Sequence, residues 1–215
     1  MLGRVMATAA LVLASGAALA DGSSIGLRAG GLGFGVDYAY TFKDRIAVRV
    51  GLNGASYGFQ EEASDVEYDF DINWDSTSVA VDFFPGKRAL HLTAGVLDNG
   101  NGLDAVGVTT GPVEIGDTVY PPALVGQLTG KISYEGTAPF VAVGWDWSRG
   151  KRAGFALDLG LLDQGVPDVT LSANGIIANA PGFQQDLASE QAQIEDDFKD
   201  LELLPYLSLG FVFRF

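Results

Sequence analysis

Cysteine is absent from the 215 residues, and histidine occurs once, at His91. Disulfides, thiolate-ligated metals and redox thiols are therefore excluded. Basic residues are scarce: 13 Lys and Arg stand against 27 Asp and Glu, for a formal charge of −14. So acidic a chain repels phosphates, and nucleic acid is not an expected partner. Beyond residue 20 there is no run of apolar residues long enough for a helix to cross a bilayer. Glycine, by contrast, is abundant. Its 29 residues are near double the usual share of roughly 7%, in a chain that is 47% hydrophobic.

Residues 1–20 carry one basic residue, Arg4, then an apolar run over 9–13, and finish on Ala18-Leu19-Ala20. Small residues three and one positions before a cleavage point, after an apolar stretch too short to span a bilayer, describe an export signal. We expect a signal peptide at 1–20, cleaved after Ala20, and one domain over 21–215. Cleavage removes Arg4 and no acid, so the formal charge moves from −14 to −15.

The remainder is dominated by period two. Leu32, Phe34, Val36, Tyr38, Tyr40 and Phe42 alternate with Gly33, Gly35, Asp37, Ala39 and Thr41. After Lys43-Asp44-Arg45, Ile46, Val48, Val50 and Leu52 alternate with Ala47, Arg49, Gly51 and Asn53. Large apolar side chains on one face and small or polar ones on the other describe strands between two solvents. A three-residue turn sets Phe42 opposite Ile46 and keeps both apolar sets on one face; a two-residue turn would mix them. Similar alternation runs through 66–84, 90–96, 131–147, 153–161 and 203–215. A phase slip near Asp75–Ser78 predicts a bulge, and another slip interrupts 131–147. Ile25, Leu27 and Ala29 supply an eighth strand if Gly30-Gly31 forms a tight primed turn. Otherwise the missing strand lies in 98–130.

Alternation alone does not separate a soluble sandwich from a membrane barrel. Connection lengths do so better. Short ones at 43–45, 85–88 and 148–152 alternate with long ones near 60–66, 98–130 and 163–202, as in barrels with short periplasmic turns and long external loops. Tyr40, Phe42, Phe83, Phe84, Trp145, Trp147, Phe213 and Phe215 sit near strand ends, like interfacial girdles. The ending Ser208-Leu-Gly210-Phe-Val-Phe213-Arg-Phe215 resembles the C-terminal signal of bacterial outer-membrane proteins: a polar residue, Gly two later, then an aromatic and a final Phe. Over about residues 22–215 the chain resembles the small OmpA- and OmpW-like barrels of Gram-negative bacteria. That resemblance implies an all-β fold: a single closed antiparallel transmembrane β-barrel, most simply of eight strands, in the outer membrane. The implied partners are outer-membrane lipid and lipopolysaccharide, and the outer-membrane assembly machinery, which would read Ser208, Gly210, Phe213 and Phe215.

With lipid-facing phases fixed, the lumen receives Asp37, Arg49, Asn53, Asp82, His91, Asp146, Asp158, Tyr206 and Arg214, together with Thr93 and Ser208. Charges in so narrow an interior must pair. Asp37 lies diagonally from Arg49, and Arg214 is placed to meet acids on a neighbouring strand. This polar cluster lines a pore or forms a plug. The leading expectation is a narrow porin-like channel for a small hydrophilic solute; the rival is a closed-lumen structural or interaction barrel, tied to envelope integrity or adhesion. Enzymatic barrels exist in this membrane, but a Ser–His–acid site needs a hydroxyl within reach of an imidazole. His91 has only Thr93 two residues away on its face, so no catalytic residue is expected, and no cofactor or resident metal.

Asp65, Glu67, Asp69, Asp71 and Asp75 read as a solvated acidic ridge, with divalent-ion bridging to lipopolysaccharide as the functional alternative. Residues 183–201 form the one helical pattern, with Phe183, Leu187, Ile194, Phe198 and Leu201 on one side and acids on the other. An acidic helix in the last long external loop follows, expected to cap the barrel mouth or to pack against 98–130.

Overall fold

The structure is a computed structural model that describes residues 21–63, 66–86, 88–134, 136–198 and 202–215. The signal peptide expected at 1–20 lies outside the described residues, as do Asp65 of the acidic ridge and Leu201 of the helical pattern. In chain order the strands are β1 (Ser23–Gly30), β2 (Gly33–Phe42), β3 (Ile46–Ala63), β4 (Val66–Phe83), β5 (Leu90–Asn99), β6 (Gly102–Thr109), β7 (Val113–Ile115) and β8 (Thr118–Tyr120). After the short helix α1 (Pro122–Val125) come β9 (Gln127–Ser133), β10 (Gly136–Asp146), β11 (Ala153–Asp163) and β12 (Asp168–Ala173). Helix α2 (Pro181–Phe198) and β13 (Leu203–Arg214) complete the fold.

Eight of these strands, β1 to β5 with β10, β11 and β13, form one closed antiparallel barrel, in which β13 returns to pair with β1. The eighth strand is β1. Gly30 pairs with Gly33 across Gly31-Leu32, and the positive φ of +83° falls on Gly33 rather than on the Gly30-Gly31 pair. At the next turn Phe42 faces Ile46 and Ala39 faces Arg49, the register that the apolar phasing demanded. Within the barrel, closure pairs both edges of every strand, while β12 remains an edge strand of the sheet that continues beyond it.

Outside the barrel, Val48, Val50, Val79, Val81, Leu92, Val141, Leu159, Leu207 and Leu209 are exposed, while Ala39, Ala47, Ala80, Ala156 and the charged residues are buried inside. An apolar surface of this extent would drive association in water, but suits acyl chains. Strands β2, β5, β10 and β11 have 10 or 11 residues, the length that crosses a hydrocarbon layer at about 45° tilt. Phe42, Phe83, Trp147, Phe213 and Phe215 project outward near the short turns, whereas Phe84 is buried and belongs to the interior rather than to a girdle.

No bulge is present in β4. Its pairing with β3 runs from Ile46↔Phe83 to Ala63↔Val66 without a skipped residue. The surroundings change instead. Strands β3 and β4 each have 18 residues, about 60 Å at the usual rise, and their far halves leave the barrel. Along β4 the odd positions stay exposed throughout. The even face lines the lumen at Ala80 and Asp82, then becomes the apolar face of Val66, Tyr68, Phe70 and Ile72 beneath a second layer of protein. The acidic residues Glu67, Asp69, Asp71 and Asp75 therefore share the outer face with Val79 and Val81, but beyond the apolar band.

The segments 60–66 and 98–130 are consequently not the loops that connection counting predicted. Residues 60–63 and 66 belong to the long hairpin, and 98–130 contains β6 to β8, α1 and the start of β9. Strand β4 pairs with β5 up to Ser76↔Asn99 and with β6 from Asn73↔Gly102, so β5 and β6 lie end to end. The seam is held at Asp75, whose carbonyl accepts from Gly100 N–H (2.9 Å) and whose N–H donates to Asn101 Oδ1 (3.1 Å). Strands β9 and β10 lie end to end in the same way, which accounts for the second phase slip. The extended halves of β3 and β4 with β6, β9 and β12 make a sheet beyond the barrel. Against it packs a second core of Val66, Val113, Ile115, Val125, Phe183 and Leu187.

Candidate functional site

The lumen holds its polar residues in two groups. In the first, Asp158 of β11 is fully buried. Its Oδ2 accepts from Arg28 Nη1 (2.6 Å) and Arg49 Nη1 (3.0 Å), and its Oδ1 from His91 Nε2 (2.7 Å). Arg28 Nε also donates to Asp37 (2.5 Å), Arg49 Nη2 to Asp82 (3.0 Å), and Thr93 Oγ1 to the same Asp82 oxygen (2.7 Å). Two guanidinium groups thus hold three carboxylates. Period two puts Arg28, Asp37, Arg49, Asp82, Thr93, His91 and Asp158 on the inner face of six strands, β1 to β5 and β11. Low dielectric then makes each pairing obligatory, because breaking one leaves an uncompensated charge.

Close approach across the lumen requires an absent side chain. A Cβ on Gly144 of β10 would lie 2.2 Å from Asp158 Oδ1 and 2.4 Å from His91 Nε2. The His91–Asp158 bond passes over that glycine. In the same way a Cβ on Gly210 would meet Arg28 Cδ at 2.8 Å.

The second group sits at the short-turn end. Arg214 of β13 pairs with Asp146 and donates from Nε to Ser148 Oγ (2.8 Å), and Ser148 N–H donates to Asp146 Oδ1 (2.9 Å). Arg214 thus reaches past its neighbour β11 to an acid carried on β10. Below His91 lies Phe84, with ring centroids 5.2 Å apart. Arg149 stacks on the Phe84 ring at 3.8 Å and donates to the Asp44 carbonyl (2.6 Å), tying two short turns together.

One expected member stands apart: Asn53 donates to Ser76 Oγ (3.2 Å), away from the ionic network. Tyr206 bridges two environments: its hydroxyl hydrogen-bonds Ser208 and lies near Arg49 and Asp158, while its ring packs with an apolar layer of Leu32, Ala80, Leu97, Ala138, Phe140 and Leu162, 5.7 Å from Phe140. Asp37 does not pair with Arg49: its partner is Arg28. Sequence reading missed Arg28 although Ile25, Leu27 and Ala29 already set the phase of β1. It also missed the apolar layer, whose signal is the doublets Val96-Leu97, Phe140-Val141 and Leu161-Leu162, where both faces of a strand turn apolar at once. With both layers in place, the space left beside the ion pairs is about 20 Å³, room for about one water.

The residues of the C-terminal pattern divide by face. Ser208 and Gly210 point inward and Phe213 and Phe215 outward, and Phe215 N–H donates to Ser23 O (3.0 Å) where β13 meets β1.

Comparison with solved structures finds the same architecture elsewhere. The crystal structure of Acinetobacter baumannii CarO aligns at a TM-score of 0.61 with 18% identity, covering 92% of this chain and 99% of that one. Acinetobacter baumannii CarO2 aligns at 0.62 with 19% identity, covering 90% and 98%. The fold is that of the small outer-membrane barrels. A looser likeness, with a TM-score of 0.39 at 13% identity and covering 90% and 94%, is to Ail, the attachment invasion locus protein of Yersinia pestis, in complex with the heparin analogue sucrose octasulfate. No family model matches this chain, and no curated protein sequence does.

Proposed function

We propose that this chain works in the Gram-negative outer membrane as a closed-lumen interaction barrel whose activity resides in the domain built beyond the strands. The short turns face the periplasm, the extended sheet and α2 face outward, and Ser208, Gly210, Phe213 and Phe215 are read by the assembly machinery. Lipid and lipopolysaccharide surround the apolar band. One observation carries the reading: an ionic layer with a space of only about 20 Å³ beside its ion pairs is stacked in the barrel on an apolar layer around Leu97, Phe140 and Leu162. The polar cluster serves as a plug. Binding rather than catalysis fits His91, whose Nε2 is committed to Asp158, and Thr93, whose hydroxyl is committed to Asp82.

The test is planar-bilayer conductance of the refolded protein. The closed reading expects no unitary steps at any voltage that the bilayer tolerates. A steady ohmic conductance would replace it with the porin-like alternative, permeation of a small hydrophilic solute.

A further inference from the structure

A second cavity lies outside the barrel. About 250 Å³ lies between the extended sheet and α2, well above the ~150 Å³ engineered cavity that admits benzene. Its floor is a row across the sheet, Phe70 opposite Ala105, Ala105 opposite Gly130, and Gly130 opposite Leu171. The space exists because the two central positions carry almost no side chain. A Cβ at Gly130 would stand 3.3 Å from Leu171 Cδ2 and 3.9 Å from Ala105 Cβ, inside the cavity.

One wall is aromatic. The rings of Tyr57, Phe59, Phe70 and Tyr68 stack in succession at 6.0, 5.0 and 5.5 Å, leading from the exposed Tyr57 into the cavity. The opposite wall is α2, which presents Leu187, Glu190 and Ile194. Glu190 is held in place by Gly116 N–H, which donates to its Oε2 at 3.1 Å. Lys131 and Glu114 border the space, but each alternates with pocket-facing or buried neighbours and is itself exposed, so their charges belong to the outer face. Thr129 and Ser172 border the space in the same exposed way, which leaves the Glu190 carboxylate and the Tyr68 phenol as the half-buried polar side chains of the lining. Glu190 also stands close enough to Tyr68 to help burial raise that phenol's pKa.

We propose that this cavity binds a small organic cation, an apolar ring bearing an ammonium group. The ring lies on Ala105 and Gly130 against Phe70, and the ammonium meets Glu190 and the face of Tyr68. An aromatic face and a carboxylate both favour a cation in a site shielded from water, and an anion would face Glu190 without compensation. The proposal rests on the reading above only in that the extended domain stands in water.

The experiment is titration of 2-phenylethylamine into the full barrel in zwitterionic nanodiscs, followed by ligand-observed NMR, with 3-phenylpropanoate as the anionic counterpart. The expected result is saturable binding of the amine, at least about tenfold weaker binding of the anion, loss in Ala105→Phe, and about tenfold weakening in Glu190→Gln. Gly130→Leu fills the same space from a different strand and replaces Ala105→Phe if that variant does not assemble. Failure of the amine to saturate, equal binding of the anion, or unaltered binding in a cavity-filled variant that keeps barrel mobility in unboiled gels would each overturn the proposal. A conducting channel would sink the closed-lumen reading without affecting this result.

Discussion

Gly144→Ala is the smallest change that tests how the lumen is closed. The added methyl would sit 2.2 Å from Asp158 Oδ1 and 2.4 Å from His91 Nε2, more than 1 Å inside ordinary contact. Neither neighbour is a free side-chain end. Asp158 is clamped by Arg28 and Arg49, and His91 is boxed against Phe84. The imidazole–carboxylate bond of 2.7 Å must break. Losing a buried hydrogen bond to a charged group costs about 1.5–3 kcal/mol, and overpacking adds about 1–3 kcal/mol, so a loss of about 3–5 kcal/mol is expected. Equilibrium urea unfolding in lipid bilayers, followed by tryptophan fluorescence, would measure it. The mechanism makes a sharper claim about coupling. In a His91→Ala background the carboxylate can move into vacated space, so Gly144→Ala should cost about 2 kcal/mol less there. Additivity within about 0.5 kcal/mol would refute the argument that this glycine exists to let the bond pass.

Three further outcomes follow from the same geometry. Asp158→Asn keeps the shape but removes the charge shared by two guanidinium groups, and should cost about 3–5 kcal/mol in the same unfolding assay; unchanged stability would show the ion pairs to be dispensable. Phe140→Ala opens the apolar layer and should cost about 3–5 kcal/mol while remaining silent in planar bilayers, because the ionic layer still blocks the passage. Conductance from that single variant would mean one layer closes the lumen alone. Burial, with Glu190 adding, raises the Tyr68 pKa, so phenolate absorbance subtracted from that of Tyr68→Phe should titrate above the usual value of about 10. A phenol with a raised folded pKa contributes stability that is complete below the unfolded pKa and is lost as pH climbs through the folded one. Glu190→Gln should lower the Tyr68 midpoint; no movement would separate the two residues.

The barrel was legible because its two solvents differ most where side chains alternate. Strict alternation around Lys43-Asp44-Arg45 even selected the turn length. The same rule failed in β4 for a physical reason: one face of a strand can pass from lumen to a covered protein core without any change of register. A reader of the sequence sees apolar residues change parity at Asp75–Ser78 and infers a bulge, when the backbone is regular and the environment changes. The ionic cluster was found wherever a charge interrupted a run of small lumen residues, as at Arg49, Asp82 and Asp158. Partner choice was not, because pairs such as His91–Asp158 and Arg214–Asp146 span an intervening strand, and their reach depends on the tight curvature of the closed barrel. Arg28 escaped notice because β1 is short and glycine-rich. The cavity under α2 has no sequence signature at all, since Ala105 and Gly130 are adjacent only across the sheet.

The unbroken ladder of β3 and β4 has a mechanical consequence. A strand pair that continues from the barrel into the outer domain with every residue in register contains no hinge. From Ser76, the last β4 residue paired with the barrel strand β5, to Phe70 in the cavity floor is six residues, roughly 20 Å of strand. The pocket is therefore carried at a fixed height on a stiff mast. Lengthening or shortening the hairpin by two residues at a time, which preserves the parity of the faces, would raise or lower that pocket relative to the barrel without altering either end.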